Sequence, residues 1–208
     1  ETSIGMQKAI GSDIMMVLDQ CIPSTSSFEM AKAAMELTHR WAERSLAARD
    51  ASPQALFGIV QGACHPDLRR QSAAFLRTLP FDGLAIGGLA VGETDEERHR
   101  FTDRVTDELP RNLPRYLMGV GTPLDLLESV HRGVDMFDCI IPSQVAARGM
   151  LSPPAANFNS AAAFINFPRN PWTPNAIARH AGGLRGPTFT ISPRWARAWA
   201  ANSSRSTT

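Results

Sequence analysis

Five places along the chain put a group capable of chemistry at the end of an apolar run. "DIMMVLDQC" ends on Asp19, two residues before Cys21. "ALFGIVQG" ends on Gln61. "GLAIGGLAVGE" breaks at two adjacent glycines, Gly87 and Gly88, and "RYLMGVGTP" turns through Met118, Gly119 and Gly121. "GVDMFDCIIPS" carries two carboxylates, Asp135 and Asp138, beside Cys139. A carboxylate set in an apolar strand is desolvated unless it is hydrogen-bonded, which makes Asp138 a candidate nucleophile or proton carrier. The same residue could instead hold a neighbouring loop by its backbone N–H groups. Asp19 could grip a substrate or cap a loop. The Gln61 amide could read the edge of a base or tie two strands together. Adjacent glycines admit a ligand to the backbone, or make a tight turn. "GVGTP" ahead of a helix could bind phosphate, as many such loops do. No two histidines have ligand spacing, no Ser-His-Asp arrangement is evident, and His65 and His131 read as helix-end residues.

The elements that must carry these groups alternate regularly. Strands are expected over 13–19, 55–62, 83–88, 115–121 and 136–142, the first a continuous apolar run of the kind buried on both faces. Helices are expected between them. Ser26 with Glu29 reads as a capping box ahead of Met30, Ala34, Leu37 and Trp41 at helical spacing. Pro66 opens a helix through Leu79. Thr94 with Glu97 forms a second capping box, for a helix to about Leu109. Thr122 caps a helix that starts at Pro123 and runs to about Arg132. Five β units with four crossover helices imply a parallel sheet. Polar or glycine residues at every strand's C-terminal end favour an α/β fold of the TIM (β/α)8 type, whose sites gather at those ends. Five strands make an incomplete barrel, so the first strands are expected to precede this sequence, which opens without Met.

Composition narrows the function classes. Hydrophobic residues make up 43% of the 208, enough for a sizeable core. No apolar run reaches the roughly 18 residues of a membrane span, and the first residues resemble neither a signal nor a transit peptide. Cys21, Cys64 and Cys139 show no pairing or metal spacing, so a reduced, cytoplasmic setting is expected. The net charge of +1 conceals a split: the chain through Asp138 carries all 20 acidic residues and a net −6. The 70 residues after it hold seven arginines and no Asp, Glu or Lys. A basic tail can signal nucleic acid, but this one lacks lysines and interleaved aromatics.

Taken in order, "GSDIMMVLDQC", "ALFGIVQG", "DGLAIGGLAVGE" and "PRYLMGVGTPLDLLESVHRGVDMFDC" resemble the bacterial tRNA-guanine transglycosylases, over about residues 4–142. The resemblance implies a TIM-barrel enzyme that exchanges the wobble guanine of certain tRNAs for a 7-deazaguanine, a queuosine precursor. It implies that Asp138 is the nucleophile at the ribose anomeric carbon, forming a covalent ribosyl-enzyme that the incoming base resolves with retention. It implies further that Asp19, Gln61 and the Gly88 backbone hold the exchanged base, with Met118 on its face. Cys21 and Val91 match the form that takes the small aminomethyl precursor. The run Gly119, Val120, Gly121, Thr122, Pro123, Leu124 and Asp125 resembles the segment that touches the RNA. The implied partners are the tRNA anticodon loop, the 7-deazaguanine base and, for the family, a second copy of the chain.

The sequence departs from the family at three points. A "DSGG"-type loop, with the family's general acid/base Asp, has no match. After Pro142 the family continues with an arginine-bearing "PTR" segment, whereas here Gln144 and Ala147 stand where arginines would be. The family's structural zinc site, Cys-x-Cys-x-x-Cys with a later His, is missing: zinc is expected for the family, but this sequence offers no ligands for it. Read one nucleotide out of frame, "PNAIARHA" permits Glu-Cys-Asp-Cys-Pro-Ala-Cys, the zinc motif itself, and "SRSTT" permits the later His. Residues 1–142 are thus expected to form the C-terminal part of a barrel domain. Residues 143–208 are expected to be a frameshifted tail replacing the zinc-binding subdomain, and the chain to be inactive alone. Two other readings compete: a non-catalytic RNA-binding subunit on the same barrel, and an unrelated barrel enzyme holding a phosphorylated small molecule through "GVGTP".

Overall fold

The computed structural model describes residues 1–141. The elements run α1 (Thr2–Ile10), β1 (Ile14–Met16), α2 (Phe28–Arg49), β2 (Ala55–Val60), α3 (Pro66–Leu76), β3 (Gly83–Ile86), α4 (Asp95–Glu108), β4 (Arg115–Leu117), α5 (Pro123–His131) and β5 (Met136–Phe137). All five expected strands form, and each is shorter than its apolar run. The polar and glycine residues at the C-terminal ends leave the ladder and begin the βα loops. Asp138 is therefore not inside a buried strand as expected: it lies one residue past β5, exposed. The expected capping box at Ser26 is also displaced. Ser27 is the N-cap of α2, and its hydroxyl accepts from the Met30 N–H at 3.3 Å. The Thr94–Glu97 box forms as expected, as does the Thr122 cap followed by Pro123. Helix α1 has no counterpart in the sequence reading, because only Ile4 of its residues is buried and no apolar stripe announces it.

The strands are all parallel and lie in sequence order, β1-β2-β3-β4-β5, with Ile14 opposite Ala55, Phe57 opposite Gly83, Leu84 opposite Arg115 and Tyr116 opposite Met136. Right-handed crossovers in an unreversed order set every helix on the same side of the sheet, whereas a doubly wound sheet reverses its order midway. Yet every residue of β2, β3 and β4 is buried. The face without helices is covered by the sheet's own curl, so the fold is an incomplete α/β barrel. One core runs through it: Met15, Leu56, Phe57, Ile59, Leu84, Ile86 and Leu117 are essentially inaccessible, with Phe101 and Val105 of α4 packed on the outside. Each such side chain contributes on the order of 1.5–3 kcal/mol when buried.

Two carboxylates secure the N-terminal edge of the sheet, opposite the candidate site. Asp82, just before β3, accepts from the Leu56 N–H at 2.9 Å and pairs with Arg49 of α2. Asp135, just before β5, accepts from the Arg115 N–H at 3.0 Å while its own N–H donates to the Arg115 carbonyl at 2.8 Å. The two acids of "GVDMFDC" thus sit at opposite ends of β5. Asp135 fixes the strand, and Asp138 is presented beyond it.

Candidate active site

The residues beyond the C-terminal strand ends form two clusters. The first belongs to β1, β2 and β3. Gln61 is buried immediately after β2, its backbone N–H donating to Ser72 Oγ of α3 at 3.2 Å. Its side-chain amide donates to Asp19 Oδ2 at 2.5 Å. The loop carrying Asp19 is fastened to α2 where the Gln20 N–H donates to Thr38 Oγ1 at 3.0 Å. Gly87 and Gly88 close over this pair. A β-carbon on Gly87 would lie 3.4 Å from Asp19 Oδ2, and one on Gly88 would lie 2.3 Å from Gln61 Oε1. Gly88 also adopts φ +61°, a region costly for side-chain-bearing residues. Cys21 lies beside them; burial and the Asp19 charge push its thiol pKa up, against a backbone hydrogen bond from Gly88. It therefore stays a neutral thiol.

One buried cation holds the turn. Arg69 of α3 donates from Nε to the Ala63 carbonyl at 2.6 Å, and from its two terminal nitrogens to the carbonyls of Gly87 at 3.0 Å and Gly88 at 2.8 Å. Its guanidinium carbon sits 5.7 Å from the centre of the Phe101 ring. Burial pulls its pKa down to about 10, so it remains charged at neutral pH. The next loop is organised by Glu93, whose fully buried carboxylate accepts from the N–H groups of Ala90 at 2.5 Å and Val91 at 3.0 Å. Val91 is thereby held half-buried beside the glycine turn.

The second cluster belongs to β4 and β5. Asp138 Oδ1 accepts from Tyr116 Oη at 2.6 Å and from the Gly119 N–H at 2.8 Å. Burial, reinforced by the Asp138 carboxylate, drives the Tyr116 pKa far above its ordinary value. Tyr116 thus remains a donor throughout the working pH range. Both donors converge on one carboxylate oxygen. Charge-assisted bonds of this kind fix the direction of the carboxylate. Cys139 packs against Gly121, where a β-carbon would come within 2.0 Å of its sulfur, so the two loops fit only because residue 121 is glycine. Met118 is half-buried against the core.

The expected RNA segment divides. Gly119, Thr122 and Leu124 are exposed, whereas Val120 and Asp125 are buried. Asp125 points inward. It accepts from the Arg98 guanidinium at 2.7 Å and Thr122 Oγ1 at 2.5 Å, and lies 3.3 Å from His99 Nε2. Arg98 also meets Asp95 at 2.7 Å and Glu93 at 3.9 Å. Burial alone would raise the Asp125 pKa, but Thr122 and Arg98 outweigh it and the net shift is downward. A lowered folded pKa contributes stability that is complete above the unfolded value of about 3.9 and is lost as pH falls through the folded value. Asp125→Asn is expected to cost about 2 kcal/mol at pH 7, less than a fully broken buried pair because Asp95 and Glu93 still face Arg98. It is also expected to flatten the fall in stability below about pH 4. Urea unfolding across that range measures both effects.

Three contributors escape a reading of the sequence: Arg69, Tyr116 and Glu93. Each sits within an element, or looks like an ordinary polar residue, and only the buried carbonyls, carboxylate or N–H groups it serves reveal it. Among the described residues no three His, Cys, Asp or Glu converge as metal ligands. The three cysteines occupy separate loops, so these residues do not fit a zinc site, and no step below runs through one.

Carboxylates and an amide gathered on the βα loops of a parallel barrel define a class: (β/α)-barrel enzymes working at the C-terminal mouth. A family model described as Queuine tRNA-ribosyltransferase matches residues 1–166. The chain is 50% identical over 159 residues to the queuine tRNA-ribosyltransferase of Herpetosiphon aurantiacus, covering 76% of this chain and 41% of the relative. It is 54% identical over 151 residues to that of Pseudomonas aeruginosa, covering 73% and 41%, and 55% identical over 151 residues to that of Acidithiobacillus ferrooxidans, covering 73% and 40%. The chain belongs to the queuine tRNA-ribosyltransferase family. It spans about two fifths of the length of these relatives.

Proposed function

We propose that the two clusters carry out base exchange at a ribose: the wobble guanine of a tRNA leaves and a 7-deazaguanine takes its place. The observation that carries this reading is the setting of Asp138. One of its oxygens takes both donors, Tyr116 and Gly119, while the exposed carboxylate keeps Oδ2 for attack. In the first step Oδ2 bonds to C1′ as the C1′–N9 bond breaks, and the departing guanine takes the electron pair on N9 and a proton from the family's acid/base Asp, which no residue of this chain matches. In the second, N9 of the incoming base attacks C1′, gives its proton to that same acid/base carboxylate and releases the Asp138 carboxylate. Two inversions give net retention. The base must be splayed out of the anticodon loop to reach the barrel mouth. Asp19 accepts from the N–H groups on the base edge, the Gly88 N–H supplies a donor for its 6-oxo group, and Gln61 braces Asp19. Met118 lies against the ring, Cys21 and Val91 bound the small pocket, and Gly119 through Leu124 approach the RNA backbone. This chemistry belongs to tRNA modification in the cytoplasm, and the family's homodimer is proposed with it.

We also propose that the chain alone does not turn over, since no residue in it matches the family's acid/base Asp. A chimera tests both points. Residues 1–141 replace the matching segment of the Pseudomonas aeruginosa relative, and incorporation of labelled 7-deazaguanine into a cognate tRNA is followed. Exchange by the chimera, with none by the 208-residue chain, is the expected result. A folded chimera that neither exchanges base nor forms an RNA adduct at Asp138 excludes the reading. The frameshifted origin of 143–208 lies outside the described residues and remains a proposal. It fails if the coding DNA lacks the cysteine codons in the shifted frame.

A further inference from the structure

We infer that Arg69 is the positioning residue that makes Gly88 a hydrogen-bond donor to the base, and so sets recognition of the base's 6-position. The inference rests on the base-exchange reading and deepens it. Arg69 never reaches the pocket. Its guanidinium is closed off inside the barrel wall, where its three hydrogen bonds go to backbone carbonyls: Ala63 after β2, and Gly87 and Gly88 after β3. In a trans peptide the carbonyl of one residue and the N–H of the next lie in one plane and point in opposite directions. With the Gly87 carbonyl drawn to Arg69, the Gly88 N–H is turned away from the cation, toward Cys21.

A guanidinium is required because the three acceptors are spread around it. Its planar fork presents five donors at fixed angles, whereas an ammonium is a single point that cannot span them. Among the described residues no carboxylate forms an ion pair with this cation, and its charge is offset by carbonyl dipoles, the Phe101 ring and the more distant Glu93 carboxylate. The turn cannot relax into another arrangement without leaving that charge buried and unsatisfied. The positive φ of Gly88 and its contact with Gln61 are maintained from behind in this way.

The test compares guanine with 6-thioguanine. They share the edge that Asp19 contacts and differ at the acceptor that Gly88 would meet, where sulfur is the weaker partner. Binding to the full 208-residue chain is measured by calorimetry. The wild type is expected to prefer guanine by about tenfold, as one good hydrogen bond allows. Arg69→Lys is expected to reduce that preference to about twofold. Leu109→Ala, a core truncation away from the site, loses thermal stability but keeps the preference. If the lysine variant does not fold, Arg69→Met, which buries no charge, gives the same comparison. A preference retained in the folded Arg69 variant overturns the inference alone. Failure of the wild type to bind either purine overturns the base-exchange reading, and this inference with it.

Discussion

Asp138→Asn abolishes exchange in the chimera, lowering the rate by about 10⁴-fold or more, while leaving the fold intact. Loss of an enzymatic nucleophile typically costs that much. The substitution changes little else. The amide oxygen can still accept from Tyr116 and Gly119, the position is exposed, and no buried charge is left without its partner. Stability should move by less than about 1 kcal/mol, the weakening expected when an acceptor loses its charge. Single-turnover assays with a labelled anticodon stem-loop separate the two effects: the covalent adduct disappears, and RNA retention on a filter stays. Residual exchange within tenfold of the parent chimera would mean that another group attacks the sugar.

Gly88→Ala should be nearly as damaging, through binding rather than chemistry. An alanine there faces two separate obstacles. The backbone sits at φ +61°, which costs a non-glycine residue about 1 kcal/mol or somewhat more. Its methyl would also lie 2.3 Å from Gln61 Oε1. The second obstacle decides the phenotype. Gln61 Oε1 is the far end of a side chain, so the clash could be relieved by moving the amide. However, Gln61 is buried, and its amide is what braces Asp19. Relief at residue 88 therefore releases the carboxylate that would hold the base. Affinity for guanine is expected to fall about 100-fold, against a loss of about 2 kcal/mol in stability. Calorimetry with guanine, together with urea unfolding, distinguishes this from simple destabilisation. Unchanged affinity in the folded variant would show that the glycine turn does not border the base.

The strands were legible because each is an apolar run closed by a polar or glycine residue, and the barrel order followed from their even alternation with helices. What the runs could not show is where hydrogen bonding stops. Each run overestimated its strand, and Asp138 looked buried because its neighbours are apolar, although it lies past the last ladder residue. The Thr94 and Thr122 caps were legible because such a cap needs only its own few residues. At α2, two consecutive serines offered two possible starts, and the backbone selected the second. The family resemblance groups Asp125 with its loop as an RNA contact. Its partner Arg98 is 27 residues away in sequence, and no local pattern announces that pairing. Arg69 illustrates the same limit. Its spacing suggests an ordinary helical arginine, and only the folded turn supplies the three carbonyls that define its task.

Strand β5 contributes two ladder residues and, among the described residues, pairs only with β4. Opening so short a rung exposes little apolar surface, so thermal fraying should begin there well before the central strands give way. Asp138, the proposed nucleophile, hangs from this shortest rung, whereas Gln61 and the glycine turn hang from the two longest. On warming, bond-making should therefore fail first, leaving a molecule that still holds its purine but can no longer cut it from a ribose.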